Sequence, residues 1–126
     1  MRNSFLALIS LFVITLFLSG CGDSNAVKLV KSGKFTDCSK TVEQAVNGFW
    51  GSPKWDSGIG QNGPTKGLTL VNLRGKLEFN GKRVNAQLQF IVDEKSGTFE
   101  AYALEVNEIP QSQFMIMGLV TNMCTK

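Results

Sequence analysis

Cys21, Cys38 and Cys124 are the only thiols in the chain, and it contains no histidine. Their wide spacing suits disulfide formation better than metal ligation. No two of them form a C-x-x-C pair, so a zinc site lacks its usual cysteine and histidine ligands. The missing histidine also removes Ser-His-Asp and Cys-His nucleophilic centres. General acid–base work falls to the carboxylates, of which Asp56, Asp93, Glu100, Glu105 and Glu108 are scattered along the chain. Glu100 and Glu105 stand at an odd separation, which puts them on opposite faces of a regular strand. A glycosidase-like pair would therefore have to come from different elements. The expectation is a protein that is not an enzyme and holds no metal or cofactor.

The first cysteine follows a distinctive leader. Arg2 supplies a positive start, and the run from Phe5 to Leu18 is apolar except for Ser10 and Thr15. That run falls short of the roughly 18 to 20 residues that cross a bilayer as a helix, and it ends in small residues as a cleaved signal does. The tetrapeptide Leu18-Ser19-Gly20-Cys21 resembles the lipobox of bacterial lipoproteins. The resemblance implies that residues 1–20 are removed and that Cys21 becomes the acylated first residue of the mature chain, joined to the bilayer by several acyl chains. In such lipoproteins an aspartate directly after the cysteine marks inner-membrane retention. Here that place is held by Gly22, with Asp23 one further on, so the expectation is an outer-membrane anchor facing the periplasm.

Assigning Cys21 to lipid leaves Cys38 and Cys124 as an even pair in an oxidising compartment, where a disulfide is expected rather than two free thiols. It would close most of the mature chain into one loop. Removal of residues 1–20 from the 126 leaves about 106, enough for one domain with one core. The formal net charge of +3 drops by one with the loss of Arg2. So mild a balance provides no basic footprint for nucleic acid.

Residues 21–26 are small and polar and read as a lipidated tether, leaving 27–126 as a single α+β domain. Val27, Leu29 and Val30 suggest a short first strand. Thr41 then opens a helix with a capping box to Gln44, and Val42, Ala45, Val46, Phe49 and Trp50 fall on one helical stripe. Gly51 and Pro53 stop it. Residues 58–67 hold Gly58, Gly60, Gly63, Pro64 and Gly67 and read as an exposed loop. They lack the phosphate-binding pattern G-x-x-x-x-G-K-[ST].

The clearest elements follow. Val71, Leu73, Gly75, Leu77 and Phe79 alternate with polar residues, as do Val84, Ala86, Leu88, Phe90 and Val92, and Asn80-Gly81 between them marks a type I′ hairpin. A two-residue loop pairs Leu77 with Val84, Leu73 with Leu88, Val71 with Phe90 and Glu78 with Arg83. A one-residue slip would bury Arg74 and Lys76. The stretch 98–106 forms the next strand. Its apolar residues on both parities call for a central position or a bulge that switches faces. Ser112 caps a final helix over 113–124, which has little polar face and is expected to be largely buried or used as an interface. The predicted architecture is an antiparallel β-meander of three to four strands packed against an N-terminal and a C-terminal helix.

Thr41-Val42-x-Gln44, Phe49-Trp50, Ser52-Pro53-Lys54-Trp55 and Glu105-Val106-Asn107-x-x-Pro110-Gln111 are similar to a small domain of uncharacterised bacterial lipoproteins and membrane-anchored proteins, over residues 27–126. That resemblance carries no activity and no site residues. The functional expectation is a non-catalytic lipoprotein that binds an envelope protein partner or serves as an accessory subunit of an envelope or secretion assembly. An inhibitor or immunity lipoprotein that neutralises a toxin or lytic enzyme is the alternative. The candidate contact surfaces are the aromatic pair Trp50 and Trp55 and the loop residues Ile59, Gln61 and Asn62.

Overall fold

The computed structural model describes residues 23–125. The lipobox Leu18–Cys21 and the acylation expected at Cys21 lie outside the described residues. Within them the chain runs α1 (Asn25–Ser32), α2 (Val42–Asn47), β1 (Gly51–Ile59), a 3-10 turn (Gly63–Thr65), β2 (Thr69–Phe79), β3 (Lys82–Asp93), β4 (Thr98–Val106), β5 (Ile109–Pro110) and α3 (Gln113–Thr125). The strands form one antiparallel meander in the order β1-β2-β3-β4-β5. The fold is α+β as expected, with five strands rather than three to four.

The β2–β3 hairpin has the expected register. Leu77 opposes Val84, Leu73 opposes Leu88, Val71 opposes Phe90 and Glu78 opposes Arg83. Asn80 and Gly81 take φ values of 53° and 79°, the left-handed pair that a type I′ turn demands. Because side chains alternate, this register puts Val71, Leu73, Leu77, Leu88 and Phe90 on one face, where all are buried. Gly75 sits among them because a Cβ there would lie 2.8 Å from the Gly51 carbonyl oxygen and 3.1 Å from the Trp50 ring. At the other end of β3 the Asp93 carboxylate accepts from the Lys95 and Ser96 amides. These bonds, that from Ser96 foremost, hold its pKa below the ordinary carboxylate value and fix the turn to β4.

A bulge decides β4. Gln89 opposes Ala103 but the next residue, Phe90, opposes Ala101, so Tyr102 has no partner on β3. Phe99 and Ala101 before the bulge and Leu104 and Val106 after it thus pack on the same core. That explains apolar residues on both parities in a strand that is not central. Glu100 opposes Ile91 and Glu105 opposes Gln87, so the two glutamates share the open face instead of standing on opposite faces. Four residues of β3 still separate their rows, roughly 13 Å, beyond the span of a glycosidase pair.

Residues 25–32 correct two expectations. Val27, Leu29 and Val30 lie in a helix, not a strand, and the tether expected over 21–26 gives way at Ser24. The Ser24 hydroxyl caps α1 by accepting from the Val27 amide at 3.2 Å. Ala26, Val27 and Val30 recur at helical spacing and are buried, while Lys28 points to solvent. Gly33 ends the helix, and a side chain there would strike Phe99.

α2 has both capping-box bonds, Gln44 N–H to Thr41 Oγ1 at 3.1 Å and Thr41 N–H to Gln44 Oε1 at 2.9 Å. The helix ends at Asn47, earlier than the stripe suggests, yet the Trp50 amide still donates to the Val46 carbonyl. β1 was not anticipated. It is an edge strand with Pro53 at an irregularity between Gly51 and Lys54, a placement that spares the ladder the amide proline lacks.

All three helices contribute to one core against the apolar face of the sheet. The Cys38–Cys124 disulfide joins the segment after α1 to the end of α3, with Cα atoms 5.5 Å apart at a sequence separation of 86. α3 departs from the expectation of burial and leaves that of an interface open. Ser112 caps it, but only Ile116 and Met123 are buried, while Phe114 is 80% and Met117 65% exposed. A single helix laid on one side of a sheet can bury only the stripe facing it.

Candidate functional site

The residues nominated from the sequence do not form one site. Trp50 is a core residue at 5% exposure, packed over Gly75, and this corrects its nomination as a contact residue. Trp55 is half-buried. It stacks on Phe90 at 6.1 Å and lies under the Lys31 ammonium at 5.6 Å, within an aromatic cluster that includes Phe35 and Phe99. Ile59 closes β1, nine strand positions from the Trp50 end, and is exposed. Gln61 and Asn62 follow it, also exposed, with Gln61 Nε2 donating back to the Ile59 carbonyl. Trp50 and the exposed loop thus flank opposite ends of β1, with Trp55 midway between them.

The open face of the sheet carries a polar array instead. Strand alternation puts Lys54 and Asp56 of β1, Asn72, Arg74 and Lys76 of β2, Asn85, Gln87 and Gln89 of β3 and Glu105 of β4 on it. Lys54, Arg74, Gln87 and Glu105 occupy one register row across four strands. The Arg74 guanidinium pairs with Asp56 and donates Nε to Gln87 Oε1 at 3.0 Å. Asn72 donates to Asp56 at 3.1 Å and accepts from Gln89 at 3.0 Å. This chain of side-chain bonds ties three strands together and presets the rotamers of the array.

At the hairpin end the array opens into a shallow cleft of about 390 Å³, lined by Ser52, Lys54, Lys76, Asn85, Glu105 and Glu108 beside Arg74 and Gln87. Cations stand on the β1–β2 side and carboxylates on the β4 side, with the amides of Asn85 and Gln87 between. Among the described residues Lys54, Lys76, Glu105 and Glu108 make no ion pair. Such a dipolar cleft can hold a polar segment that offers an acidic and a basic group at matching separation. Glu108 is held there at a φ of 68°, next to Asn107 at 51°. Both are the left-handed positions of the two-residue loop that joins Val106 to Ile109, a conformation that costs energy at a glutamate and not at a glycine.

Sequence alternation already marks Arg74, Lys76, Asn85 and Gln87 as one face. Lys54 was missed because β1 was, and Glu105 and Glu108 because their placement depends on the bulge and on the turn after it. Among the described residues no group of three or more histidine, cysteine or acidic side chains is placed to hold a metal. No described helix is long and apolar enough to cross a membrane. Comparison with known protein families, with curated proteins and with solved structures finds no match to this chain.

Proposed function

We propose that the chain is a lipoprotein anchored through acylated Cys21 and facing the periplasm, whose domain binds a protein partner in the envelope and catalyses no reaction. The observation that carries the reading is the Cys38–Cys124 disulfide, because such bonds persist in oxidising compartments, where a lipobox would deliver the chain. The mode of binding follows from the sheet. With its helices on one face only, the other presents the row Lys54, Arg74, Gln87 and Glu105 and the cleft beside it. Charged rims of this sort choose partners and steer encounter more than they add affinity.

Two measurements test the reading. Metabolic labelling with a lipid precursor should tag the native chain and fail on a Cys21→Ser variant; label retained by that variant overturns the anchor. Affinity capture of the lipidated protein from envelope extracts should recover a stoichiometric partner, lost when Lys54→Glu and Lys76→Glu are combined. Recovery unaffected by that charge reversal removes the cleft from the interface.

A further inference from the structure

The described chain begins beside one corner of the sheet. The Ser24 hydroxyl lies 2.7 Å from that of Ser57 near the end of β1, and Cys21 is only three residues earlier, a reach of at most ~11 Å. Whatever Cys21 is bound to must therefore stand close to the end of β1 and the loop that follows. We propose, on the acylation of Cys21 put forward above, that this corner is a membrane-contact surface: Ile59 and Leu68 rest among the lipid headgroups, and the polar cleft is held at the far end of the strands.

The composition of the corner fits a lipid surface. Ile59 is 53% and Leu68 39% exposed, and they are neighbours across the loop neck, where the Gly60 amide donates to the Leu68 carbonyl at 2.9 Å. Between Ser57 and Thr69 the only charged residue is Lys66, exposed and of the sign that anionic headgroups attract. The loop is braced by Gly67 N–H to Gly60 O and Lys66 N–H to Gly63 O, so little order has to be gained on contact. The turn between β3 and β4 lies at the same end but carries Asp93 and Glu94 against the single Lys95, so contact falls to the β1–β2 corner rather than the whole end. Phe114 and Met117 are more exposed, but α3 starts beside Tyr102 of β4, three strands away from Ser57, with nothing linking them to lipid.

Two partly exposed side chains would bind a bilayer weakly as a free protein. The acyl anchor alters this by converting the contact into an intramolecular one, at an effective concentration in the mM range for a short link. An orientation follows. Thr69 to Lys76 is seven steps along β2, roughly 23 Å, so the cleft stands well clear of the lipid, open to a partner in the aqueous phase.

The test uses the full lipidated chain reconstituted into floating vesicles of phosphatidylethanolamine and phosphatidylglycerol. Leu68→Trp adds a reporter at the corner and Lys82→Trp one at the hairpin end, over the background of Trp50 and Trp55. In unbrominated vesicles the added Leu68→Trp emission should be blue-shifted and with brominated acyl chains it should be lost, whereas that of Lys82→Trp should persist unshifted. Adding Ile59→Glu to Leu68→Trp should restore emission while flotation and the disulfide mass are unchanged. Floating protein in which Leu68→Trp is quenched no more than Lys82→Trp overturns the orientation and leaves the anchor standing. Protein that fails to float, or a Cys21→Ser chain that floats, overturns the anchor and this inference with it.

Discussion

The two faces of one sheet obey different physics. On the inner face Val71, Leu73, Leu88 and Phe90 are fully buried, and the hydrophobic effect dictates their type with little regard for partner geometry. On the outer face Arg74, Asp56, Asn72, Gln87 and Gln89 are held by directed bonds in contact with water, where each bond is worth little to stability. The difference separates what the fold needs from what it leaves free for use. The inner face could accept other apolar residues of similar volume, whereas the outer face needs only polar residues to hold the register, so that the order of its charges is open to a binding role.

Cutting the covalent brace of the inner side should have the largest effect. The chain-entropy model assigns a disulfide closing a loop of this length about 4 to 5 kcal/mol, so Cys38→Ser with Cys124→Ser should bring the domain close to its unfolding limit in denaturant titration. Two alkylatable thiols in the native mature protein would contradict the bond. Next, Phe90→Ala removes the ring at the centre of the aromatic cluster and should cost about 3 to 5 kcal/mol. By contrast Arg74→Ala, about half exposed with its partner, should cost at most about 1 kcal/mol. Comparable losses from the two would erase the distinction between the faces. Smallest, and opposite in sign, Glu108→Gly relieves a left-handed glutamate but loosens the unfolded chain, and should stabilise the domain by less than about 1 kcal/mol. If Glu108 serves the cleft, the same substitution should weaken partner capture; a gain in stability with capture intact would leave the strain unconnected with binding.

Much of the inner face was legible because its causes are local. Period-two alternation and Asn80-Gly81 specify the β2–β3 register without reference to the rest of the chain, since a slip would bury charges. The capping box at Thr41 and the cap at Ser112 are likewise written in adjacent residues. α1 was misread because Val27 and Val30 favour strands in isolation, and only the Ser24 cap and the core they enter make them helical. Of the candidate site, only the β2 and β3 residues could be placed in advance.

What remained was settled by neighbours distant in sequence. β1 exists because β2 offers it an edge, its own stretch of glycine, proline and charges having no strand pattern. The β4 bulge places Glu105 on the open face, and the course of α3 along one side of the sheet leaves Phe114 and Met117 uncovered. By itself the sequence determined the alternation, the turns, the caps and the pairing partners available to its cysteines, because these depend on residues within a few positions or on counting. Only the tertiary structure decided which elements lie side by side, and so which charges meet in the cleft and which apolar side chains stay exposed, because burial and register are properties of contacts between segments.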